Sequence, residues 1–532
     1  MSELKKLENL MRSGRITRRQ FLARTSALGL TAALSTALMP SAGRAAAAKP
    51  RKGGVLRMGL AHGSTTDSLD PATQINYMTG TINLILSNTF VEIDHTGAVI
   101  PAIAESWEPS RDVKTWTFKV RKGVEFHNGK TVDANDVIAS INHHRKEGSK
   151  SAAKALVNQI AEIKADGRDT VVFKLEQANA DFAYILADVH ITIMPAKGEE
   201  MDWKAGVGTG SYMVEKFEPG VRMSMKRFPN HWNPERGHFD RVEMLSIHDM
   251  AARTNALKTG RVDVIDRIDF KTVHLLGRTP GIRIDETTGL GHYALPMLTD
   301  IPPFDDNNVR MALKYAIDRE AILKTLFKGH GSVGNDHPIT PAYRYYAKDL
   351  PQRVYDPDKA KFYLKKSGLD SLTLPLHAAG AAFPEAVDLA VLFKEYAAKA
   401  GITINVVREP NDGYWSNIWI KKPWCFCYWR GRPTEDWMFS TAYAADAKWN
   451  DTHWQNERFN KLLVAARSEL DEAKRAEMYF EMQRIVRDEG GQVIPLLNNY
   501  LLACSDKLQH GPMLRYCDLD GNKLPERWWF AA

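Results

Sequence analysis

"PAIAESWEPSRDVKTWTFKVRKGVEFHNGKTVDANDVIASI", residues 101–141, holds three kinds of local grammar in one run. In "TWTFKV" (115–120) apolar and polar side chains alternate, the period of a half-buried strand. "HNGK" (127–130) centres on Asn128-Gly129, a turn dipeptide before anything else. "DANDVIASINHHRKEG" predicts a helix: Val137, Ile138 and Ile141 share one face, and Asp133 stands where an N-cap belongs. A second alternating run, "TVVFKL" (170–175), lies beyond that helix.

The same alternation of periods extends outward. "SYMVEKF" (211–217) and "VRMSMKRF" (221–228) read as strands joined by the turn pair Pro219-Gly220. "NNVRMALKYAIDREAILKTLFKG" (307–329) puts Val309, Leu313, Ala316, Ile317, Leu323 and Leu326 at helical spacing and predicts one helix ending at Gly329. "DPDKAKFYLKKSG" (356–368) starts with Asp356 as cap and Pro357 in the first turn. "PEAVDLAVLFKEYAAKAG" (384–401) follows similar grammar, and "ITINVVREP" returns to a strand. Residues 457–487 are helical, with an interruption near Leu470-Asp471. Strands alternating with helices argue for an α/β chain.

The first 48 residues differ from the rest. "SGRITRRQFLARTSALGLTAAL" (13–34) sets a basic region before an apolar run, Thr25 to Met39, that is too short and too rich in Ser and Thr to span a membrane. "AGRAAAAKP" follows, and Ala46-Ala47-Ala48 fits a signal cleavage pattern, so the mature chain is expected to begin near Lys49. The order Thr17-Arg18-Arg19-Gln20-Phe21-Leu22 resembles a twin-arginine export signal. No cysteine precedes Cys425, so lipid attachment at the cleavage site is not expected, and a soluble periplasmic protein is. Of the net charge of +7, +6 sits in residues 1–48, which leaves no case for nucleic acid or an anionic membrane surface as partner. The remaining 484 residues are too many for one core, so at least two compact units are expected.

Four cysteines remain. Cys504 and Cys517 make a plausible staple, whereas Cys425 and Cys427 would point to one face of a strand and read as buried thiols. None has zinc-site spacing.

Seven stretches in order give the chain a familiar outline: "TTDSLDPA", the 101–141 run, "GTGSYMVEKFEPG" with "FPNHW", "RTNALKTGRVDVI", "PPFDDNNVRMALKYAIDREAIL" and "YDPDKAKFYLKKSGL". From about residue 54 to the C-terminus the sequence resembles the periplasmic solute-binding proteins of family 5, the dipeptide, oligopeptide and nickel binders that serve ABC importers. The resemblance implies an α/β fold of two lobes, a Venus flytrap of class II (cluster C). Lobe one would comprise 49–295 plus 500–532, with an extra subdomain over 85–200, and lobe two would comprise 296–499. The chain would cross between lobes near "HYALPM" and "IPLLNNYLL", with ligand held between lobes that close by hinge motion. It also implies an ABC permease in the inner membrane as partner, with the binding protein a monomer.

Seven of the thirteen tryptophans fall between 415 and 454, around "CFCYWRGRPTEDWMFSTAY", which looks like the family's cleft segment. In peptide-binding members a tryptophan there is followed, three residues on, by an aspartate that holds the peptide's α-amino group. Trp429 matches the tryptophan; Arg432 occupies the aspartate position. A guanidinium in that place favours carboxylate or phosphate over ammonium. Either Asp436 takes over the amino group, or Arg430 and Arg432 favour an anionic or sugar-like ligand stacked on tryptophan. The plainer alternative pairs one arginine with Glu435 or Asp436. From lobe one, Thr66, Asn76 and Tyr77 are the expected contacts.

No Gly-x-Ser-x-Gly, His-Glu-x-x-His, Cys-x-x-Cys or phosphate loop is present, so neither an enzyme nor a cofactor is expected. His143-His144 read as exposed histidines on a polar helix and not as metal ligands. Three functions compete: a peptide-binding importer component; the same scaffold for an oligosaccharide, opine or other anionic solute; and an exported enzyme, favoured only by the signal.

Overall fold

The computed structural model describes residues 50–531 apart from Ile75 and Asp412; the signal expected over 1–48 lies outside the described residues. Within 101–141, "TWTFKV" forms strand Thr115–Val120, with Trp116, Phe118 and Val120 buried and Thr117 and Lys119 on the opposite face. It is the second strand of a four-stranded antiparallel sheet, ordered Ala104–Pro109, Thr115–Val120, Thr170–Leu175, Ile160–Ala165. Phe118 and Phe173 meet edge to face across it, ring centroids 5.5 Å apart.

The larger sheet has nine strands: β1 (Val55–Leu60), β2 (Tyr212–Glu218), β3 (Arg222–Arg227), β4 (Arg241–Ser246), β5 (Val264–Ile265), β6 (Ile282–Pro296), β7 (Ser332–Val333), β8 (Cys427–Trp429) and β9 (Gln492–Ser505). Their spatial order is β2-β3-β4-β1-β5-β9-β6-β8, with β7 pairing β9 off this path. β1 runs parallel to β4 and β5; the β5–β9, β9–β6 and β6–β8 pairs are antiparallel. β6 and β9 are the long members, 15 and 14 residues.

Helices relevant below are α1 (Tyr77–Leu86), α2 (Ala134–Arg145), α3 (Glu435–Ala442), α4 (Glu457–Ser468) and α5 (Glu472–Glu489). Asp133 caps α2 as expected, in a reciprocal capping box with Asp136, an arrangement that contributes about 1 kcal/mol. α4 and α5 are separated at Glu469–Asp471, where the sequence predicts an interruption. The single helix expected over 307–329 is two, Asn307–Tyr315 and Arg319–Thr325. Asp318 breaks it by turning its carboxylate onto the Ala321 N–H (2.9 Å) and starting a new helix. Val309, Leu313, Ala316 and Ile317 still share one core, so the apolar spacing survives the break.

Arg51–Phe530 forms one compact unit with several separate apolar clusters. One gathers residues of 90–193 around Phe118 and Phe173; another joins β1, β4 and α1 to the C-terminal Leu524 and Trp528. A third packs Val309, Leu376, Phe393 and Trp424 together. β6 and β9 thread between clusters: Ile284 and Leu501 pack in one, Leu295 and Val493 in another. Midway, the β6–β9 register shifts between Thr288 and His292. A Cβ on Gly289 there would lie 2.7 Å from the Asn498 carbonyl oxygen, which accounts for glycine at that place.

Two side-chain expectations are corrected. His143 and His144 are buried, not exposed, because the polar face of α2 is covered by the loops at 68–74 and 149–153. His143 Nε2 sits 2.8 Å from Asp70 Oδ1 and His144 Nδ1 2.7 Å from Ser151 Oγ; burial lowers the His144 pKa to about 4. The staple between Cys504 and Cys517 is absent, and all four cysteines are free thiols. Cys504 is locked inside β9 with its S–H donating to Asp285 Oδ2 (2.9 Å), and Cys425 and Cys427 are buried, as their spacing suggests.

Candidate functional site

β8 lies along β6, pairing Trp429 with His292, and delivers the chain to a short loop, 430–433, before α3 begins. That loop hugs β6: a Cβ on Gly431 would collide with Leu290. Thr434 then caps α3, its hydroxyl accepting from the Trp437 N–H (3.2 Å). The strand-to-helix turn thereby presents Arg430, Arg432, Asp436 and Trp437 to one wall of a cavity of about 940 Å³. The facing wall comes from 152–190, with Gln159, Asn179, Asp188 and His190 among its polar side chains. Trp449 and Arg467 complete the first wall.

Three of the seven expected contacts, Arg430, Arg432 and Asp436, line this cavity. Arg430 also reaches over the Tyr77 ring, 5.5 Å from its centroid, so Tyr77 sits behind an arginine and not on the cavity wall. Trp429 is only 6% exposed. Its indole N–H donates to Asp451 Oδ2 (3.1 Å), as does that of Trp419 (3.2 Å), while Gln492 donates to Oδ1 (2.7 Å). Trp429 therefore backs the wall, and the tryptophans facing the cavity are Trp437 and Trp449, the latter 6.2 Å from Trp429 between ring centroids and 45% exposed. Burial pushes the Asp451 carboxyl up to about 6. Asn76 and Thr66 do not line the cavity. Asn76 caps α1, accepting from the Thr79 N–H (2.9 Å) and donating to Asp67 (3.1 Å), and Thr66 is exposed in a loop against Ser64.

Asp436 is committed to a neighbour: Arg467 Nε donates to it at 2.8 Å and Arg467 NH2 to Ser440 Oγ at 2.6 Å. Burial raises the Asp436 pKa, and the Arg467 charge offsets part of that. The guanidinium of Arg432, by contrast, donates only to carbonyls of its own loop, those of Arg430 (3.2 Å) and Gly431 (3.4 Å), while its backbone N–H donates to the Tyr343 hydroxyl (3.1 Å). Burial lowers its pKa from the ordinary guanidinium value. Neither Arg430 nor Arg432 pairs with Glu435 or Asp436; Glu435 is buried and accepts the Tyr345 N–H instead.

Nothing in the local sequence pattern signals how the opposite wall is held. Asp181 and Arg475 form a buried bidentate ion pair across it, NH1 to Oδ1 at 2.9 Å, and the Ala180 N–H donates to the Arg467 carbonyl (2.7 Å). These partners lie nearly three hundred residues apart in sequence, beyond the reach of any local pattern.

The model of the bacterial extracellular solute-binding proteins, family 5 Middle, matches residues 98–451, well over half of the chain. The chain belongs to that family. Family 5 proteins are extracytoplasmic binders, and its relatives are named for binding, not for catalysis. The dipeptide-binding protein of Escherichia coli is 28% identical over 453 residues, 77% of this chain and 83% of that one. In structure, the periplasmic binding protein DppA of Helicobacter pylori, in complex with the peptide STSA, superposes with a TM-score of 0.73 at 22% identity, covering 91% of this chain and 99% of that one. The substrate-binding protein CtaP of Listeria monocytogenes superposes with a TM-score of 0.78 at 20% identity, covering 91% and 100%. The fold is thus the two-lobed α/β architecture of family 5 binding proteins.

Proposed function

We propose that the protein captures short peptides or peptide-like solutes in the cavity between 152–190 and 430–467 and hands them to the membrane permease of an ABC importer. The observation that carries this reading is the cavity itself. Its volume of about 940 Å³ is the size of a small-ligand site, and it is built from two parts of the chain that meet face to face. Its polar groups suit holding a ligand, with no nucleophile–base pair among the residues that line it, so we assign binding without turnover. Lobe one is assigned to 49–295 plus 500–532, with the subdomain over 85–200, and lobe two to 296–499. The hinge is assigned to the register shift of β6 and β9, where Gly289 and Asn498 face each other. Opening about two strands needs few contacts to break, so ligand contacts can decide the balance. Export through the signal over 1–48, no lipid anchor, and a monomer that presents both lobes to its permease complete the reading.

Native mass spectrometry of protein purified from the periplasm tests it. Denaturation should release short peptides. A single non-peptide solute, bound stoichiometrically, would overturn the peptide assignment.

A further inference from the structure

The charges lining the cavity do not balance. Three of its carboxylates are already engaged by a neighbour: Asp181 by the Arg475 guanidinium (2.9 Å), Asp436 by that of Arg467 (2.8 Å) and Asp188 by a hydrogen bond with His190 (2.7 Å). The fourth, Glu176, is exposed. Arg430, Arg432 and Lys448 line the same space, and none of them has an ion-pair partner among the described residues. Two guanidinium groups therefore stand two residues apart on one loop. That of Arg432 is half-buried and bonded only to its own loop's carbonyls; that of Arg430 lies over the Tyr77 ring. The charge of Asp188 acts on Arg432 without pairing with it. A guanidinium drawn partly out of water with no anion at bonding distance is left with unspent donors, and its planar fork matches a carboxylate. Beside it, Trp437 and the half-exposed Trp449 supply flat apolar area for the rest of a ligand.

We infer that Arg430 and Arg432 form a carboxylate-docking subsite, so that within its peptide class this protein selects ligands that place a carboxylate on that loop. The inference rests on the peptide reading above. The carboxylate comes either from a glutamate-like side chain or from the peptide's C-terminus. Asp436 does not offer a compensating amino-group site, since Arg467 holds it.

The experiment is isothermal titration of the full chain at low salt with Ala-Glu, Ala-Gln and Ala-Gln-amide, a series that removes first the side-chain and then the terminal carboxylate. A charge-assisted hydrogen bond in place of a neutral one predicts a drop of about 10- to 100-fold at the step that removes the docked group. That step identifies which carboxylate is seated. In Arg432→Gln the same step should shrink to within about twofold, and Arg432→Lys should restore part of it. Thermal melting checks that both variants remain folded. Equal affinity for all three peptides, or a step that persists in Arg432→Gln, overturns the docking subsite and leaves the peptide reading standing. Failure of every peptide to bind a folded protein overturns the peptide reading and this inference with it.

Discussion

The ion pair Asp181–Arg475 joins the two walls of the cavity, and replacing Asp181 by asparagine tests whether it holds them closed. Both side chains are buried, at 8% and 3% exposure. Arg475 keeps other partners on its own side: its Nε donates to the Ala466 carbonyl (2.9 Å), and its guanidinium lies 5.6 Å from the Tyr345 ring and 5.7 Å from the Tyr479 ring. Asp181→Asn therefore leaves a guanidinium buried without its anion. Removing one partner of such a pair costs about 3–5 kcal/mol, and the amide carbonyl, still an acceptor, puts the expectation at about 3 kcal/mol. If the walls separate when the protein opens, Arg475 regains water in the open form, and the penalty falls on the closed form alone. A shift of about 3 kcal/mol in that balance weakens ligand binding about 100-fold. Titration calorimetry with the peptide recovered from the purified protein measures the loss. Small-angle scattering, with and without that peptide, should show the Asp181→Asn variant more open than the parent at equal ligand concentration. A lowered melting temperature with unchanged affinity would refute the reasoning, because the pair would then belong to a contact that never opens.

The tryptophans make opposite predictions. Trp429→Phe removes one donor from buried Asp451 and should lower stability by about 1–2 kcal/mol in urea unfolding while ligand affinity holds. Trp449→Ala strips the cavity of an aromatic face and should cost about tenfold in affinity with little change in melting temperature. The pH dependence of stability should carry a signature of Glu435, whose pKa burial pushes up to about 7. A carboxyl raised above its unfolded value adds stability that is full below about pH 4.5 and lost as pH rises through about 7. Glu435→Gln keeps an acceptor for the Tyr345 N–H and should flatten urea midpoints between about pH 5 and 8, with a gain of about 2–3 kcal/mol at the upper end. An unchanged slope in the glutamine variant would remove Glu435 from that account.

What can be read from the chain alone is whatever a residue and its near neighbours decide. "TWTFKV" and "TVVFKL" are strands with the expected ends, because alternation records which side chains face inward along one extended segment. Asp133 caps α2 because the carboxylate needs only N–H groups two and three residues ahead. The loop 430–433 stands out by its unusual arginines, and Arg430, Arg432 and Asp436 line the cavity. Local pattern fails wherever a distant segment chooses between equivalent residues. Helical spacing continues through Asp318, so only its capping bond reveals the break. His143 and His144 are polar on a polar face, but that face is covered by other loops. Trp429 and Trp449 belong to one tryptophan-rich stretch; the bond from Trp429 to Asp451, itself held by Gln492, turns one into wall and leaves the other open. The charge on the cavity is likewise a tertiary decision. Pairing of ions depends on close approach between groups that the sequence separates by tens or hundreds of residues, as Arg467 with Asp436 and Arg475 with Asp181 show. Only when those partners are in place do Arg430 and Arg432 stand without one.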